Sequence, residues 1–199
     1  MVGLEDSLVE LERTLRRARA AVVDHLRPGR EMSATRSRLA QLGLVPSDEV
    51  VEWFRWHDGA GDPYGDIRNC ELAPGVYLFD LETLCREYLD TRRDFAVVTQ
   101  NLPEPWSDSS RLWSPSWFPV ARLDAGSLAA DLAGGATTTS PIHAGWFDAA
   151  PEYKAHPQWP TLDALVQELA RRYERGIYEV DHEGHVRGPD VDAELTDGP

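Results

Sequence analysis

The chain has 199 residues, 42% of them hydrophobic, and a formal charge of −14 from 34 acids against 20 bases. That length and apolar content suit one packed domain and argue against a disordered polymer. The acidic surplus would be repelled by nucleic-acid phosphates and by anionic membrane surfaces, so neither is expected as a partner; a basic protein would be attracted, chiefly through faster encounter.

Two cysteines, Cys70 and Cys85, make neither a disulfide framework nor a complete zinc site. The first dozen residues carry Glu5, Asp6, Glu10 and Glu12, unlike a secretory leader, and no apolar run approaches the roughly 18 residues of a membrane span. A cytoplasmic location is therefore expected. Lys154 is the single lysine among many arginines, a bias that points to a GC-rich coding genome.

In chain order, Leu4, Leu8, Leu11, Leu15, Ala18, Val22 and Leu26 recur every three or four residues, predicting an amphipathic helix within residues 1–30, stopped by Pro28 and Gly29. A short helix over about 35–42 ends at Gly43. Ser47 is placed to cap a third helix, with Asp48 and Glu49 at its positive end and Gly59 as its stop. Residues 58–75 hold many Gly, Asp and Pro and read as an irregular loop.

VYLFDL, 76–81, reads as a buried strand leading into the helix LETLCREYLDTRR, with Cys85 on its inward face. A proline-rich loop over 100–116 carries Trp106 and Trp113. WFPVARL, SLAADL and PIHAGWF then read as consecutive antiparallel strands, with Pro119 requiring an edge position or a bulge. A last helix over 161–175 and the hairpin IYEV-DHEG-HVR follow. Residues 188–199 form an acidic tail expected to be mobile. Helices, then a meander of strands, then a closing helix predict a single α+β domain over 31–187, with a mostly antiparallel or mixed sheet flanked by helices.

Motifs that carry chemistry are missing. There is no G-x-S-x-G elbow, P-loop, H-E-x-x-H helix or G-x-G-x-x-G turn. Asp58, Asp62 and Asp66 stand at intervals of four, which does not fit an EF-hand and favours a solvated turn. His182 and His185 with Asp181 or Glu183 could hold a metal, but a hairpin tip rich in polar residues for solubility is the preferred reading. His57 reads as a helix-end residue, and Asp131 as an acceptor of turn N–H groups. Trp53, Trp117, Trp146 and Trp159 fall in or beside regular elements and are assigned to the core. Trp106 and Trp113 either anchor an interface or fold back over the sheet. No catalytic residue, cofactor or metal is expected, and Asp58, Asp62, Asp66, Trp106 and Trp113 are the candidate partner-binding residues.

Two segments together carry a family resemblance. LGLVPSDEVVEWFRWHDG, 42–59, resembles the entry block of the SMI1/KNR4 group, also called the SUKH superfamily, with Val45-Pro46 for Leu-Pro and Asp58-Gly59 for Asn-Gly. WFPVARLDAGSLAADLAGG resembles its second block through Trp117, Pro119, Val120, Gly126 and Asp131. The likeness spans roughly 33–175 and includes the closing helix. It implies an α+β domain without a shared catalytic apparatus. Bacterial members are viewed as immunity proteins that neutralise toxins, often nucleases, and fungal relatives as scaffolds. The expectation is thus a non-enzymatic bacterial immunity protein for a basic toxin domain, with an intracellular scaffold or regulator as the alternative.

Overall fold

The computed structural model describes residues 3–62, 64–101, 113–146 and 156–191. They form α1 (Leu4–Ala18), α2 (Met32–Ala40), α3 (Asp48–Trp56), β1 (Glu71–Ala73), β2 (Val76–Tyr77), α4 (Leu81–Val98), β3 (Trp117–Leu123), β4 (Gly126–Asp131), β5 (Ile142–Trp146), α5 (Leu162–Glu174), β6 (Glu179–Val180) and β7 (Val186–Arg187). β1 to β5 pair antiparallel in chain order, and β6–β7 is a separate ribbon. The chain is an α+β domain with an antiparallel sheet flanked by helices.

α1 is shorter than its sequence period suggests. Arg19 adopts a left-handed conformation at φ 60°, and the Ala20 N–H reaches back to the Leu15 carbonyl at 3.1 Å, closing the helix as a Schellman turn. A 3₁₀ turn, Ala21–Asp24, follows, and Val22 still reaches the core from it. Leu4, Leu8, Leu11 and Leu15 are buried in the same cluster as the sheet residues, so α1 belongs to the domain. Each such leucine contributes about 1.5–3 kcal/mol relative to exposure.

Side-chain alternation gives the sheet two different faces. Phe118, Leu123, Leu128, Ala130, Ile142 and Ala144 enter the main core with Phe54 of α3 and Leu84, Cys85 and Tyr88 of α4. Across the pleat, the register places Arg122, Ser127 and Gly145 in one row and Trp117 opposite Asp131. Pro119 lies in a central strand and is tolerated because the register shifts between Pro119 and Ala121. Of the two expectations for that proline, the bulge is realised. The Trp53 indole N–H donates to the Val120 carbonyl at 2.9 Å, pinning α3 to the bulge.

The helix caps follow the sequence. Ser47, Asp80 and Thr161 each accept a backbone N–H at the start of α3, α4 and α5. α4 runs on to Val98, and β1 lies inside what reads as loop. The segment after Gly188 is partly anchored: Val191 is buried, and Asp190 offers its carbonyl to Arg172. Residues 192–199 lie outside the described residues.

Candidate protein-contact site

Asp58 and Gly59 join the end of α3 to the start of α4. The Asp58 carboxylate accepts from Arg30 Nη2 at 2.9 Å and from the Leu81 N–H at 2.9 Å. Gly59 has φ 84°, and a Cβ there would lie 2.5 Å from the Asp80 nitrogen, so only glycine permits the approach. Asp58 is therefore half-buried and bonded within the scaffold, where the Leu81 N–H at the helix start claims it.

Asp62 and Asp66 are exposed. Asp62 accepts from the Tyr64 N–H at 2.9 Å. Asp66 caps the 3₁₀ turn Ile67–Cys70 through the Arg68 N–H and pairs with the Arg68 side chain, which lowers its pKa below the ordinary carboxylate value. Between them stands Tyr64, 75% exposed. Its hydroxyl accepts from Arg86 Nη1 at 2.7 Å, and the guanidinium lies 5.8 Å from its ring centre. This contact joins the acidic loop to α4.

Tyr64 and Arg86 form one wall of a cleft of about 310 Å³ that also takes in Tyr77, Phe79, Glu87 and Asp124. Tyr77 and Phe79 stack with ring centres 6.4 Å apart, and the Tyr77 hydroxyl donates to Asp124 at 2.7 Å. Burial and that carboxylate push the tyrosine pKa far up, so the phenol keeps its proton. Arg122 and Glu87, paired at 2.9 Å, line this cleft and, with Asp90, also a second of about 460 Å³ that takes in Asp94, Phe95, Val98 and Ser127. Burial raises the Glu87 pKa against the opposing pull of Arg122. Aromatic rings flanked by ionised groups suit a polar, charged protein segment.

Trp113 is not part of this exposed surface. It is 3% exposed, packs edge-on to Trp117 at 5.8 Å, and lies where a Cβ on Gly145 would come within 2.6 Å of its ring. The missing side chain at 145 makes the seat, and apolar cover of the sheet wins over solvent contact. Trp106 lies outside the described residues. Trp53, Trp117 and Trp159 are buried, as expected of core tryptophans.

Ser116, Asp131 and His143 sit close on the same sheet face and test whether the polar groups make a relay. Ser116 Oγ donates to Asp131 Oδ1 at 2.7 Å, and His143 Nε2 stands 4.0 Å from Asp131 Oδ2. The serine is thus bonded to the acid and not to the imidazole, the reverse of what a histidine-activated nucleophile requires. Asp131 also accepts the Ala133 N–H at 2.9 Å, the turn-closing role expected of it. The imidazole stacks on Trp117 at 4.1 Å and is 5% exposed.

Other titratable groups are likewise occupied. Buried Glu49 accepts the N–H groups of Ser140, Leu162 and Asp163, at 3.0, 3.1 and 3.2 Å, and so ties α3 to the start of α5. Both cysteine thiols are buried and free, with pKa values pushed up to about 11 by desolvation, which holds them in the unreactive thiol form. His57 lies between the Arg27 carbonyl and Glu12.

Tyr64, Arg86, Tyr77, Phe79 and Asp124 were not singled out from the sequence. Their one local signal is a tyrosine in the turn-forming run DPYGD, 62–66. No protein-family model matches the chain, and no curated protein matches it. Among the described residues, no helix is long and apolar enough to cross a membrane.

Proposed function

We propose that this chain is a non-enzymatic protein-binding domain of the SMI1/KNR4 type, acting as a cytoplasmic bacterial immunity protein that occupies the basic surface of a toxin. The observation that carries this reading is the exposed Asp62–Tyr64–Asp66 loop beside the aromatic and acidic cleft, on a chain of net charge −14. A toxin that acts on nucleic acid is basic in order to grip phosphates, so a nuclease domain is the partner class whose charge complements this surface. Tyr64 supplies a large amphipathic ring of the kind that dominates interface energetics.

The occupied state of Asp58, Glu49, Asp131 and the two thiols supports a scaffold role for those groups. Co-expression with the toxin domain encoded beside this gene tests the reading. Tight co-purification, weakened at high salt and by Y64A with D62N and D66N, is the expected outcome. A neighbouring gene set without any toxin, or a basic toxin domain that stays active and unbound at low salt, would contradict it.

A further inference from the structure

The β6–β7 ribbon closes through the turn Asp181–His185, and the described residues converge there in a way the helical regions do not. Asp181, Glu183 and His185 alternate along the chain, and one ligand atom from each lies within 4.8 Å of the others. His182, the other histidine of the turn, is exposed and outside this group. His185 Nδ1 stands 3.4 Å from Glu183 Oε2 and 3.9 Å from Asp181 Oδ2. A tetrahedral ion bonded at about 2.0–2.1 Å holds neighbouring donor atoms about 3.3–3.4 Å apart. The first separation already fits, and the second needs a small closure.

The geometry points to a divalent transition-metal site at Asp181, Glu183 and His185, with Zn²⁺ as the fitting ion and water completing its shell. One imidazole with two carboxylates favours such an ion over Mg²⁺ or Ca²⁺, which take oxygen donors alone. The site also has its outer support. Asp181 Oδ1 accepts the Glu183 and His185 N–H groups at 2.9 and 3.1 Å, while Oδ2 accepts from Arg187 Nε at 3.1 Å and Nη2 at 2.8 Å, so an ion bound at Oδ2 takes the place of one Arg187 bond. Hydrogen-bonded ligand carboxylates are the usual arrangement at metal centres, because the outer bonds fix the ligand before the ion arrives. Asp66 and Glu71 lie near enough for their charges to act on His185, adding negative potential, and Arg68 opposes it in part.

Calorimetric titration of the full chain with ZnCl₂, and separately with MgCl₂ and CaCl₂, tests the assignment. One saturable Zn²⁺ per chain is expected, undisturbed by excess Mg²⁺ or Ca²⁺. H185A and E183Q should each weaken it by at least the roughly 10–100-fold that loss of an outer partner costs. Glu183 is 59% exposed, so E183Q leaves the fold intact. In the unmodified chain, the ring nitrogen signals of His185 should move on adding Zn²⁺. Absence of saturable Zn²⁺ binding, preference for Ca²⁺ or Mg²⁺, unchanged affinity in E183Q, or signals moving at His182 alone would each overturn the assignment.

Discussion

Two acid-rich turns of similar composition behave differently. In 58–66 the aspartates are spaced by four and diverge: Asp58 turns inward to Arg30 and the Leu81 N–H, while Asp62 and Asp66 stay at the surface around Tyr64. In 181–185 the acids and histidine are spaced by two and converge on one side of a tight turn. The lesson is that acid count says little about a turn's role. Asp58 and Asp181 are alike claimed by a backbone N–H and a guanidinium, so what separates the turns is whether the spacing of the other groups matches the local backbone period.

The largest effect expected on this contrast comes from G59A. A left-handed φ and a Cβ 2.5 Å from the Asp80 nitrogen leave no relaxed solution. A loss of about 2–4 kcal/mol is expected, combining left-handed strain with overpacking, and would appear as a lowered denaturation midpoint with m unchanged. Next is D58A, which leaves the Leu81 N–H unpaired and removes one partner of Arg30, at a cost of about 1–3 kcal/mol by the same measurement. If D58A were neutral, Asp58 would rejoin Asp62 and Asp66 as a surface group.

The acid dependence of the second turn sharpens the comparison further. The Asp181 pKa is depressed from 3.8 to about 2, so its ionised form adds stability above pH 3.8 that is lost as the pH falls through 2. D181N should be less stable than the parent at pH 7, and the two melting temperatures should converge toward pH 2. Buried Glu49 has the opposite sign. Its pKa is raised, chiefly by desolvation, so the folded chain holds its proton to higher pH than the unfolded chain, and this group's contribution falls as pH rises above 4.5. E49Q should remove that slope in pH-dependent melting. The smallest stability effect is expected for D62N, D66N and Y64A, each within about 0.5 kcal/mol of the parent, although together they should weaken partner binding at least tenfold.

Much of the fold was legible because it rests on local rules. Ser47 announced its helix as a cap, the apolar period of 162–173 announced the last helix, and β3, β4 and β5 followed alternation and Gly turns. The misses came where tertiary contacts override the pattern. Ala18, Val22 and Leu26 keep a helical period, yet the chain leaves the helix at Arg19 and buries Val22 from a 3₁₀ turn. β1 is three residues long and pairs with β2 across Pro74 and Gly75, a hairpin too short to show an alternating pattern. Trp113 is buried because Gly145, distant in sequence, provides its seat.

The candidate site was half legible. Asp62 and Asp66 were found from composition, whereas Arg86, Tyr77 and Asp124 come together only through the packing of α4 and the sheet.

Hydrogen–deuterium exchange of the chain, alone and saturated with its basic protein partner, locates the contact face. Slowed exchange is expected in peptides covering 61–68 and 83–90, with 113–117 unchanged. Protection confined to α1 and α5, with 61–68 exchanging as in the free chain, would contradict it.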